Sequence, residues 1–572
     1  MNANQTTGYP SIDKPWLKYY SDEAINAVLP NCSMYEYVYE CNKNHLEDIA
    51  VKYFNKSFTY KRIFELIDKT ANAFYNFGVK QGDIVTICSL MTPETLICIY
   101  ALNKIGATVN LEYVSLSEEN FKSSFISTNS KIVIALNLFS EKIFNASKNI
   151  NVKKIIITNL FDSTNGITKY VLKKKTSSNI KELKNVASFY DFINEYNDNK
   201  TITPIKNNFS VILHTGGTTG KPKGVMLTNY NLNYLAMTYG NLGLGYTRGD
   251  KILHSIPPFH SYGFGIGIHT PMIQGLTVLM CPLPKLESLV KIQKKENPEL
   301  MVLGVSQLNQ MLDIWKDKNI SISKLKIVGI GGENVPEIVE NKAVNYLNNN
   351  SNGKLIVGYG MSELSSAATS NLSIKRKLGS VGIPFVNYNV KIVDEKLNEL
   401  KYDEIGEICF NTPSMTNEYF NDKEESKIIL KTHKDGLKWL HTGDLGYVDK
   451  DGYVFIKGRL KRIYGYIDDN GNTFKKFPDY IENCILGIKG VKNCAVGCIK
   501  DDKSINKIYS IIVKDEALSL DEIKSTIKTV LPEYIFPHII EIVDEIPINA
   551  VGKTDYIKIE KGLHGLKLNV NK

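Results

Sequence analysis

The chain has 572 residues, of which 43% are hydrophobic and 23% are charged, a balance typical of a folded globular protein and not of a disordered or fibrous one. Its length suggests about three or four structural units. The formal charge of +9 arises from 69 basic and 60 acidic residues. Because this small excess is spread along the chain, it argues against a nucleic-acid-binding protein.

The N-terminal segment and the cysteines indicate the cellular compartment of the protein. Residues 1–8 lack the charged and then apolar pattern of a secretory signal, and no run of about 18 consecutive apolar residues occurs. Nine cysteines without framework spacing favour a reducing compartment over a disulfide scaffold. We therefore expect a cytoplasmic protein, in which the close pair Cys494 and Cys498 consists of buried thiols and binds no metal.

The first predicted elements alternate between helices and strands. Apolar residues recur at helical spacing over residues 61–76, and Gly78 ends this pattern. The run Ile84 to Cys88 predicts a strand, and a second helix is expected to begin near Pro93. Further short apolar runs predict strands at residues 132–135 and 155–158. Such alternation indicates parallel sheets covered by helices.

The later part of the chain indicates two domains. Residues 162–208 are polar and lysine-rich with weak periodicity, which predicts a loop and a surface helix inserted into the first domain. A charged, glycine-led segment at 458–461 separates two regions that each look able to form a core. The sequence thus predicts an α/β fold. A large N-terminal domain of mixed sheets covered by helices, residues 1–457, is followed by a small mobile α+β lid, residues 458–572.

The most informative segment follows the apolar run Val211 to Leu213. Its glycines let backbone N–H groups approach phosphate oxygens, its threonines add hydroxyl donors, and its lysines neutralise charge. The segment reads Thr215, Gly216, Gly217, Thr218, Thr219, Gly220, Lys221, Pro222, Lys223 and Gly224. The loop of kinases and ATPases requires a glycine at position 215 and a hydroxyl residue at position 222. This segment is therefore a phosphate-binding loop of another kind.

This loop resembles the signature of the acyl-adenylate-forming superfamily, which includes acyl-CoA synthetases, adenylation domains of peptide synthetases and firefly luciferase. The resemblance extends from about Phe58 to Tyr556, with further motifs in the family's order, and is strongest to stand-alone acyl-CoA synthetases. It implies a large N-terminal domain with a mobile C-terminal domain. It also implies ATP and Mg²⁺ as ligands and a reaction through an acyl-adenylate with release of pyrophosphate.

A second motif, at 357–363, is similar to the family's Tyr-Gly-x-Thr-Glu segment. The resemblance implies that Tyr359 packs on adenine, that Ser362 contacts phosphate and that Glu363 holds magnesium. These roles suit the residue types, because an aromatic face stacks on a purine and a carboxylate shares Mg²⁺ with phosphate oxygens. Gly360 belongs to the same nucleotide-binding set.

Three more segments are assigned to the nucleotide by the resemblance. The turn at Gly332 and Glu333 is similar to the one that touches the adenine edge. Asp444 corresponds to the aspartate that accepts hydrogen bonds from the ribose hydroxyls, a role that suits its paired acceptors. Arg459 resembles the arginine that grips ribose and phosphate.

Lys461 falls at the family's hinge, where backbone rotation swings the small domain between two working poses. We count it with the nucleotide-binding residues. The next position is commonly acidic in the family, and here it is Arg462. We expect this departure to alter the balance between the poses without abolishing activity.

The resemblance also implies three catalytic residues. Lys553 corresponds to the family's catalytic lysine, a long cation that reaches the acid and the α-phosphate as negative charge builds between them. Thr218 of the phosphate loop is counted with it. His260 matches the gate residue of acyl-CoA synthetases beside the acid pocket.

The segment at 257–267 resembles the lining of the acid pocket and contains no aspartate to pair with an α-ammonium group. Because leaving such an ammonium unpaired in a pocket is costly, we favour an acid without an α-amine. Glycines alternate here with apolar residues, which predicts either an apolar wall with space for a fatty or aromatic acid or glycines that only let elements pack closely. The glycines are Gly263, Gly265 and Gly267.

The acceptor of the acyl group is defined less well. Only residues 554–572 follow Lys553, so we expect no carrier domain fused on that side and take a free thiol such as coenzyme A as the simplest acceptor. A stand-alone adenylating enzyme that loads an acid or amino acid onto a separate carrier protein shares every motif and stays open. The loop disfavours a phosphotransferase, and the presence of Lys553 and Glu363 disfavours a non-catalytic nucleotide-binding module.

Overall fold

The structure is a computed structural model. It describes residues 6–164, 185–198, 200–215, 223–283, 285–333, 335–371, 376–462, 464–467, 473–476, 478–500, 506–548 and 554–561.

The strands in chain order are β1 (Ile49–Tyr53), β2 (Lys56–Thr59), β3 (Ile84–Cys88), β4 (Thr108–Leu111), β5 (Ile132–Leu136), β6 (Lys154–Thr158), β7 (Val186–Ser188), β8 (Val211–Thr215), β9 (Lys223–Leu227), β10 (Lys251–His254), β11 (Thr277–Met280), β12 (Leu300–Leu303), β13 (Ile327–Gly331), β14 (Lys354–Tyr359), β15 (Thr369–Ser370), β16 (Ile383–Pro384), β17 (Asn389–Val393), β18 (Gly406–Asn411), β19 (Leu430–Thr432), β20 (Lys438–Val448), β21 (Val454–Arg459), β22 (Tyr464–Ile467), β23 (Thr473–Lys476), β24 (Val491–Lys500), β25 (Asn506–Lys514) and β26 (Ile539–Ile542).

The α-helices are α1 (Pro10–Asp13), α2 (Asp22–Ile25), α3 (Met34–Asn42), α4 (Tyr60–Phe77), α5 (Pro93–Lys104), α6 (Glu118–Ser127), α7 (Ser140–Ala146), α8 (Phe189–Glu195), α9 (Asn229–Gly240), α10 (Thr270–Gln274), α11 (Leu286–Glu296), α12 (Val305–Asp317), α13 (Glu337–Asn350), α14 (Lys423–Ile429), α15 (Pro478–Leu486), α16 (Leu520–Val530) and α17 (Tyr556–Glu560). A π-helix spans Tyr262–His269.

Two large sheets dominate the part of the chain before residue 385. Seven strands pair in the order β7-β6-β5-β3-β4-β8-β9, and all neighbours are parallel except β8 and β9. Nine strands pair in the order β16-β15-β14-β13-β12-β10-β11-β1-β2, with parallel pairing at the centre and antiparallel pairing at both ends. Every residue of α5 is buried, as expected of a helix covering parallel strands inside a layered domain. The predicted α/β fold class is confirmed.

The elements predicted at the start of the chain are present. Helix α4 ends at Gly78, whose left-handed φ of 105° favours glycine. Helix α5 begins at Pro93, and the Thr92 hydroxyl caps it by accepting a hydrogen bond from the N–H of Thr95. Strands β3, β5 and β6 lie within one residue of their predicted bounds.

The polar segment at 162–208 behaves differently from the prediction. Strand β7 adds to the seven-stranded sheet parallel to β6, and α8 buries Phe189 and Phe192. The Phe192 ring centre lies 5.3 Å from that of Phe74 in α4. The expectation of an inserted loop with a surface helix is therefore wrong for residues 185–198, because a few aromatic residues in a polar background suffice to join this segment to the core. Residues 165–184 lie outside the described part of the chain.

Three smaller sheets follow. One has the order β17-β18-β20-β19 with β21 paired to β20, one consists of β22 and β23, and the last has the order β24-β25-β26. Buried residues between 481 and 559 form hydrophobic clusters that share no member with the clusters of the earlier elements. In the portion of the chain that is described, we find no helix with the length and apolar character needed to cross a membrane.

Candidate active site

The phosphate-binding loop connects two paired strands. Strand β8 ends at Thr215 and β9 begins at Lys223, and these two residues are cross-strand partners. The loop between them therefore leaves from the carboxyl end of a strand whose other neighbour, β4, is parallel to it, which is where α/β folds bind ligands. The predicted loop residues Gly216, Gly217, Thr218, Thr219 and Gly220 lie outside the described residues.

A buried ion pair supports the strand that leads into this loop. The Nε2 atom of His214 lies 3.0 Å from Oε1 of Glu112 and 2.7 Å from Oδ1 of Asn110. The Ser124 hydroxyl also donates to the Glu112 carboxylate. Burial alone would raise the pKa of the Glu112 carboxyl, but the His214 ring and these hydrogen bonds hold it below its ordinary value. The sequence analysis missed this pair, because β4 and β8 become neighbours only in the folded sheet.

The carboxylate predicted to hold magnesium is almost completely buried. Glu363 is 4% exposed, and its Oε1 atom accepts a hydrogen bond of 2.6 Å from the Tyr419 hydroxyl. The ammonium of Lys223 lies 5.4 Å from the centre of the Tyr419 ring and pairs with Glu425. The exit of the phosphate-binding loop and the Glu363 carboxylate are thus joined through one tyrosine. The sequence analysis did not single out Tyr419.

Ser362 connects this carboxylate to the segment predicted to line the acid pocket. Its hydroxyl donates a hydrogen bond of 3.2 Å to the Ser261 hydroxyl. His260, next to Ser261, is partly exposed, and its ring centre lies 5.2 Å from that of Tyr113. The predicted phosphate contact and the predicted gate residue therefore stand side by side.

The glycines of this segment leave no free space beside them. A Cβ atom would lie 2.2 Å from the carbonyl oxygen of Pro257 if added at Gly263, and 2.9 Å from that of Ser365 if added at Gly265. At Gly267 it would lie 2.4 Å from Cε1 of His254. Of the two predicted interpretations, close packing is the one that holds at these positions, and the expectation of room beside the glycines is wrong.

Tyr359 and Arg459 both bind the carboxylate predicted to contact ribose. The Tyr359 hydroxyl donates a hydrogen bond of 2.6 Å to Oδ2 of Asp444, and Nε of Arg459 lies 2.9 Å from Oδ1. Burial and the neighbouring carboxylate raise the pKa of Tyr359 well above its ordinary value. This arrangement orients the Asp444 carboxylate, whose paired oxygens are the type of acceptor that a ligand hydroxyl needs.

The turn predicted to meet the adenine edge is shaped by local constraints. Gly332 has a left-handed φ of 85°, and Oε1 of Glu333 accepts a hydrogen bond of 2.9 Å from the N–H of Val305, the first residue of α12. The Glu333 side chain thus caps a helix. A Cβ at Gly360 would lie 2.0 Å from the carbonyl oxygen of Ser366, so this glycine permits close approach of two backbone segments.

The predicted hinge lies between two anchored residues. Lys461 is exposed in a short 3-10 helix at 460–462, and the residue two before it, Arg459, is bound to Asp444. The residue after it, Arg462, has four partners in the later elements. They are Asp479 at 2.6 Å, Glu482 at 2.9 Å, the carbonyl oxygen of Val496 at 2.9 Å and the Tyr556 ring, whose centre lies 3.5 Å from the guanidinium.

The predicted catalytic Lys553 lies outside the described residues, but the ends of its segment are placed. Ile548 and Thr554 form an antiparallel bridge, and the N–H of Asp555 donates a hydrogen bond of 2.8 Å to the carbonyl oxygen of Pro547. The residues that flank the segment carrying Lys553, at 547–548 and 554–555, are therefore held together by backbone hydrogen bonds.

A loop that leaves the carboxyl end of β8 and a buried carboxylate that follows β14 lie where α/β folds bind ligands, and the class of protein this indicates is a nucleotide-binding α/β enzyme. The chain belongs to the AMP-binding enzyme family, because the family model of that description matches residues 38–420. A second model, the AMP-binding enzyme C-terminal domain, matches residues 480–553. The resemblance inferred from the sequence motifs is confirmed.

Relatives extend over nearly the whole chain. A long-chain-fatty-acid–CoA ligase of Bacillus subtilis is 27% identical over 557 residues, covering 94% of this chain and 96% of the relative. A 2-succinylbenzoate–CoA ligase of Oceanobacillus iheyensis is 25% identical, covering 87% of this chain and 92% of the relative.

Two solved structures share the fold. A crystal structure of an anthranilate CoA ligase in complex with anthranoyl-AMP superposes with a TM-score of 0.80 at 19% identity, covering 93% of this chain and 97% of that one. The o-succinylbenzoate coenzyme A synthetase of Bacillus subtilis, in complex with ATP and magnesium ion, gives a TM-score of 0.73 at 21% identity, with coverages of 92% and 99%.

The Glu112 and His214 pair predicts how stability responds to acid. Because the pKa of Glu112 is lowered in the folded state, its contribution to stability is present above about pH 4.5, its ordinary value, and is lost as pH falls through the folded pKa. Glu112→Gln should cost about 1–3 kcal/mol at neutral pH, and the difference from wild type should shrink in acid. Urea unfolding at several pH values measures this. Glu424→Gln, an exposed control, should change little, and a constant difference at all pH values would contradict the prediction.

The contacts of Arg462 predict a second stability effect. Burial raises the pKa of Glu482 to about 7, and Arg462 opposes that rise. Arg462→Ala should destabilise the protein by about 3–5 kcal/mol, because it leaves a buried carboxylate without its partner. The loss should be smaller on the acid side of pH 7, where Glu482 takes up a proton. Thermal unfolding across pH tests this, and Lys461→Ala, at an exposed position, is the control. If Arg462→Ala lost the same stability above and below pH 7, Glu482 would not be the carboxylate that Arg462 stabilises.

Proposed function

We propose that this protein is an ATP-dependent acid–thiol ligase. It joins a carboxylic acid to AMP with release of pyrophosphate and then transfers the acyl group to coenzyme A. The observation that carries the proposal is that Lys223, Glu363 and Asp444 are connected through neighbouring side chains. Tyr419 contacts both Lys223 and Glu363, and Arg459, which binds Asp444, also interacts with the charge of Glu363. These are the groups that an acyl-adenylate needs around its phosphate and ribose. Full-length relatives named as CoA ligases support coenzyme A as the acceptor over a carrier protein.

The chemistry follows from the poor reactivity of a carboxylate. One carboxylate oxygen attacks the α-phosphorus of ATP, the bond to the β-phosphate oxygen breaks, and pyrophosphate leaves. The negative charge that builds up is neutralised by the phosphate-binding loop and by Lys553. Thr218 contributes its hydroxyl, and His260 stands at the entrance to the acid site. The thiol of coenzyme A then attacks the acyl carbon, and AMP leaves.

The residues present fit a magnesium ion. Glu363 is a buried carboxylate, and the adjacent Ser362 hydroxyl is hydrogen-bonded to that of Ser261; oxygen donors of this kind are what Mg²⁺ prefers. Glu363 would hold the ion, which would neutralise phosphate charge when bound. The Tyr419 hydroxyl keeps the Glu363 carboxylate in place by donating a hydrogen bond to it.

The C-terminal part acts as the mobile partner in this proposal. We divide the chain into residues 1–457 and 458–572, with Lys461 as the hinge. Arg459 holds the near side of the hinge through Asp444, and Arg462 holds the far side through Asp479 and Glu482. Dihedral change is thereby concentrated at two residues, 460 and 461. Rotation there presents Lys553 for the first half-reaction and frees the thiol path for the second.

We favour a fatty or aromatic acid without an α-amine. Residues 257–267 supply no carboxylate for an ammonium group, and the relatives are named for long-chain fatty acids and 2-succinylbenzoate. We place the reaction in the cytoplasm, because all nine cysteines are free, as expected in a reducing compartment.

The function is tested with ATP, Mg²⁺ and a panel of fatty, aromatic and amino acids. We expect release of pyrophosphate and AMP with a fatty or aromatic acid, capture of the adenylate by hydroxylamine, and thioester formation with coenzyme A. Lys553→Ala should lower pyrophosphate exchange by about 10²-fold or more, whereas Lys558→Ala, at an exposed position nearby, should not. Formation of ADP would overturn the proposal. If a thioester formed only with a carrier protein, the carrier protein and not coenzyme A would be the acceptor.

The contact between Tyr419 and Glu363 predicts a magnesium effect. Tyr419→Phe removes the hydroxyl that holds the carboxylate and should weaken the apparent Mg²⁺ affinity by about 10-fold, the lower end of what outer-shell partners contribute. A Mg²⁺ titration of the pyrophosphate-release rate measures this. Tyr246→Phe, which removes a buried hydroxyl for which the described residues supply no partner, is the matched control. An unchanged titration in Tyr419→Phe would contradict the role of Tyr419.

A further inference from the structure

A buried group of metal-binding side chains lies in the sheet that carries Asp444. Cys409 on β18 and His441 on β20 are direct cross-strand partners, and His433 follows β19. The three side chains, which we call the Cys409 cluster, belong to residues that are 0% (Cys409), 4% (His441) and 7% (His433) exposed. The site described above uses none of them.

The donor atoms of the Cys409 cluster are close together. Nε2 of His433 lies 2.9 Å from Nε2 of His441, and Sγ of Cys409 lies 3.5 Å from Nδ1 of His441. One donor atom from each of the three residues falls within 4.8 Å of the other two. A tetrahedral zinc ion with Zn–N of about 2.0–2.1 Å and Zn–S of about 2.3 Å needs donor separations of roughly 3.3–3.6 Å. With Nε2 of His441 as its donor atom, the two facing nitrogens would have to move apart by about 0.5 Å, and Sγ of Cys409 would approach them from within 4.8 Å.

Hydrogen bonding alone leaves this cluster incompletely satisfied. Only one proton fits between the two facing nitrogens of His433 and His441, so one ring must accept. Nδ1 of His433 is buried and has no hydrogen-bond partner among the described residues, and the Cys409 thiol is a weak donor. Buried polar nitrogens are normally paired. A cation held between the Nε2 atoms of His433 and His441 would bind the lone pairs of these two facing nitrogens in place of the one shared proton; it would not pair Nδ1 of His433.

The charges of the cluster and of Glu407 suit a divalent ion, and the neighbouring Lys391 is paired with Asp435. Oε2 of Glu407 lies 2.7 Å from Nδ1 of His441, the arrangement in which a carboxylate orients a metal-binding histidine. With Cys409 as thiolate, the charges of the thiolate, the Glu407 carboxylate and a divalent metal sum to zero. Neutrality matters here, because uncompensated charge in a buried site is costly.

We propose that the Cys409 cluster binds one zinc-class divalent ion through Cys409, His433 and His441, with Glu407 as the residue that positions the His441 ring. Thiolate and imidazole donors select such metals over magnesium or calcium, so this site is chemically distinct from the oxygen donors around Glu363. Binding releases the thiol proton of Cys409 to solvent.

The proposed site is connected to the nucleotide-binding turn. Oε1 of Glu407 accepts a hydrogen bond of 3.0 Å from the N–H of Gly443, and Gly443 directly precedes Asp444. The Thr442 hydroxyl accepts from the N–H of Asp444 at 3.0 Å. An ion on His441 would therefore brace the strand that presents Asp444, which makes it a structural metal with an effect on nucleotide affinity.

The test uses the full chain without a histidine tag, reduced, stripped with chelator and dialysed against zinc or cobalt(II). We expect about one zinc per chain by mass spectrometry, a thiolate-to-cobalt charge-transfer band, and a higher unfolding temperature with zinc. Cys409→Ala and His433→Gln should each lose the bound metal and the zinc-dependent shift. Cys281→Ala, at a buried thiol outside the cluster, should keep both.

Two results would overturn the proposal. One is wild-type protein that binds no more zinc than Cys409→Ala, and the other is a cobalt spectrum without the thiolate band. Because Cys409 is buried on a strand, Cys409→Ala can fail to fold; the metal content and cobalt spectrum of His433→Gln, in the turn after β19, then decide between binding and no binding. None of these readouts requires ligase activity.

Discussion

The candidate site depends on holding carboxyl groups in place where little water reaches them. Glu112, Glu363 and Asp444 are 2%, 4% and 3% exposed. A buried carboxylate is costly unless it is paired or hydrogen-bonded, and each of these three has at least one such partner. His214 serves Glu112, Tyr419 serves Glu363, and Tyr359 together with Arg459 serves Asp444. These contacts orient the carboxylates within the site.

These three carboxylates come from three different sheets, the two large ones and the sheet that contains β20. Glu112 follows β4 in the seven-stranded sheet, Glu363 follows β14 in the nine-stranded sheet, and Asp444 lies on β20. A site built from three sheets is sensitive to how the sheets pack, and the packing is fixed by buried helices such as α5. The same logic holds at the proposed hinge, where Arg459 is anchored to one side and Arg462 to the other, so that the exposed Lys461 between them is the place where motion is least opposed.

Much of the fold follows from local sequence patterns. The bounds of α4 and the start of α5 are set by apolar spacing, Gly78 and Pro93, which act over a few residues. The strand and helix within residues 185–198 are not predicted by such patterns, because the two phenylalanines that α8 buries are surrounded in the sequence by polar residues. The glycines at 263, 265 and 267 fit two interpretations equally well in the sequence, and only the neighbouring backbone and His254 decide between them.

The sequence by itself determined the family, the order of its motifs and the candidate residues within each motif, because these depend on residue type at short spacing. Tertiary structure alone decided which distant side chains meet. The partners of Glu112 and Glu363, the four contacts of Arg462 and the Cys409 cluster join segments far apart in the chain. Such contacts carry no local signal, since they arise from strand order and sheet packing, and those are settled by burial of the whole core and not by any single segment.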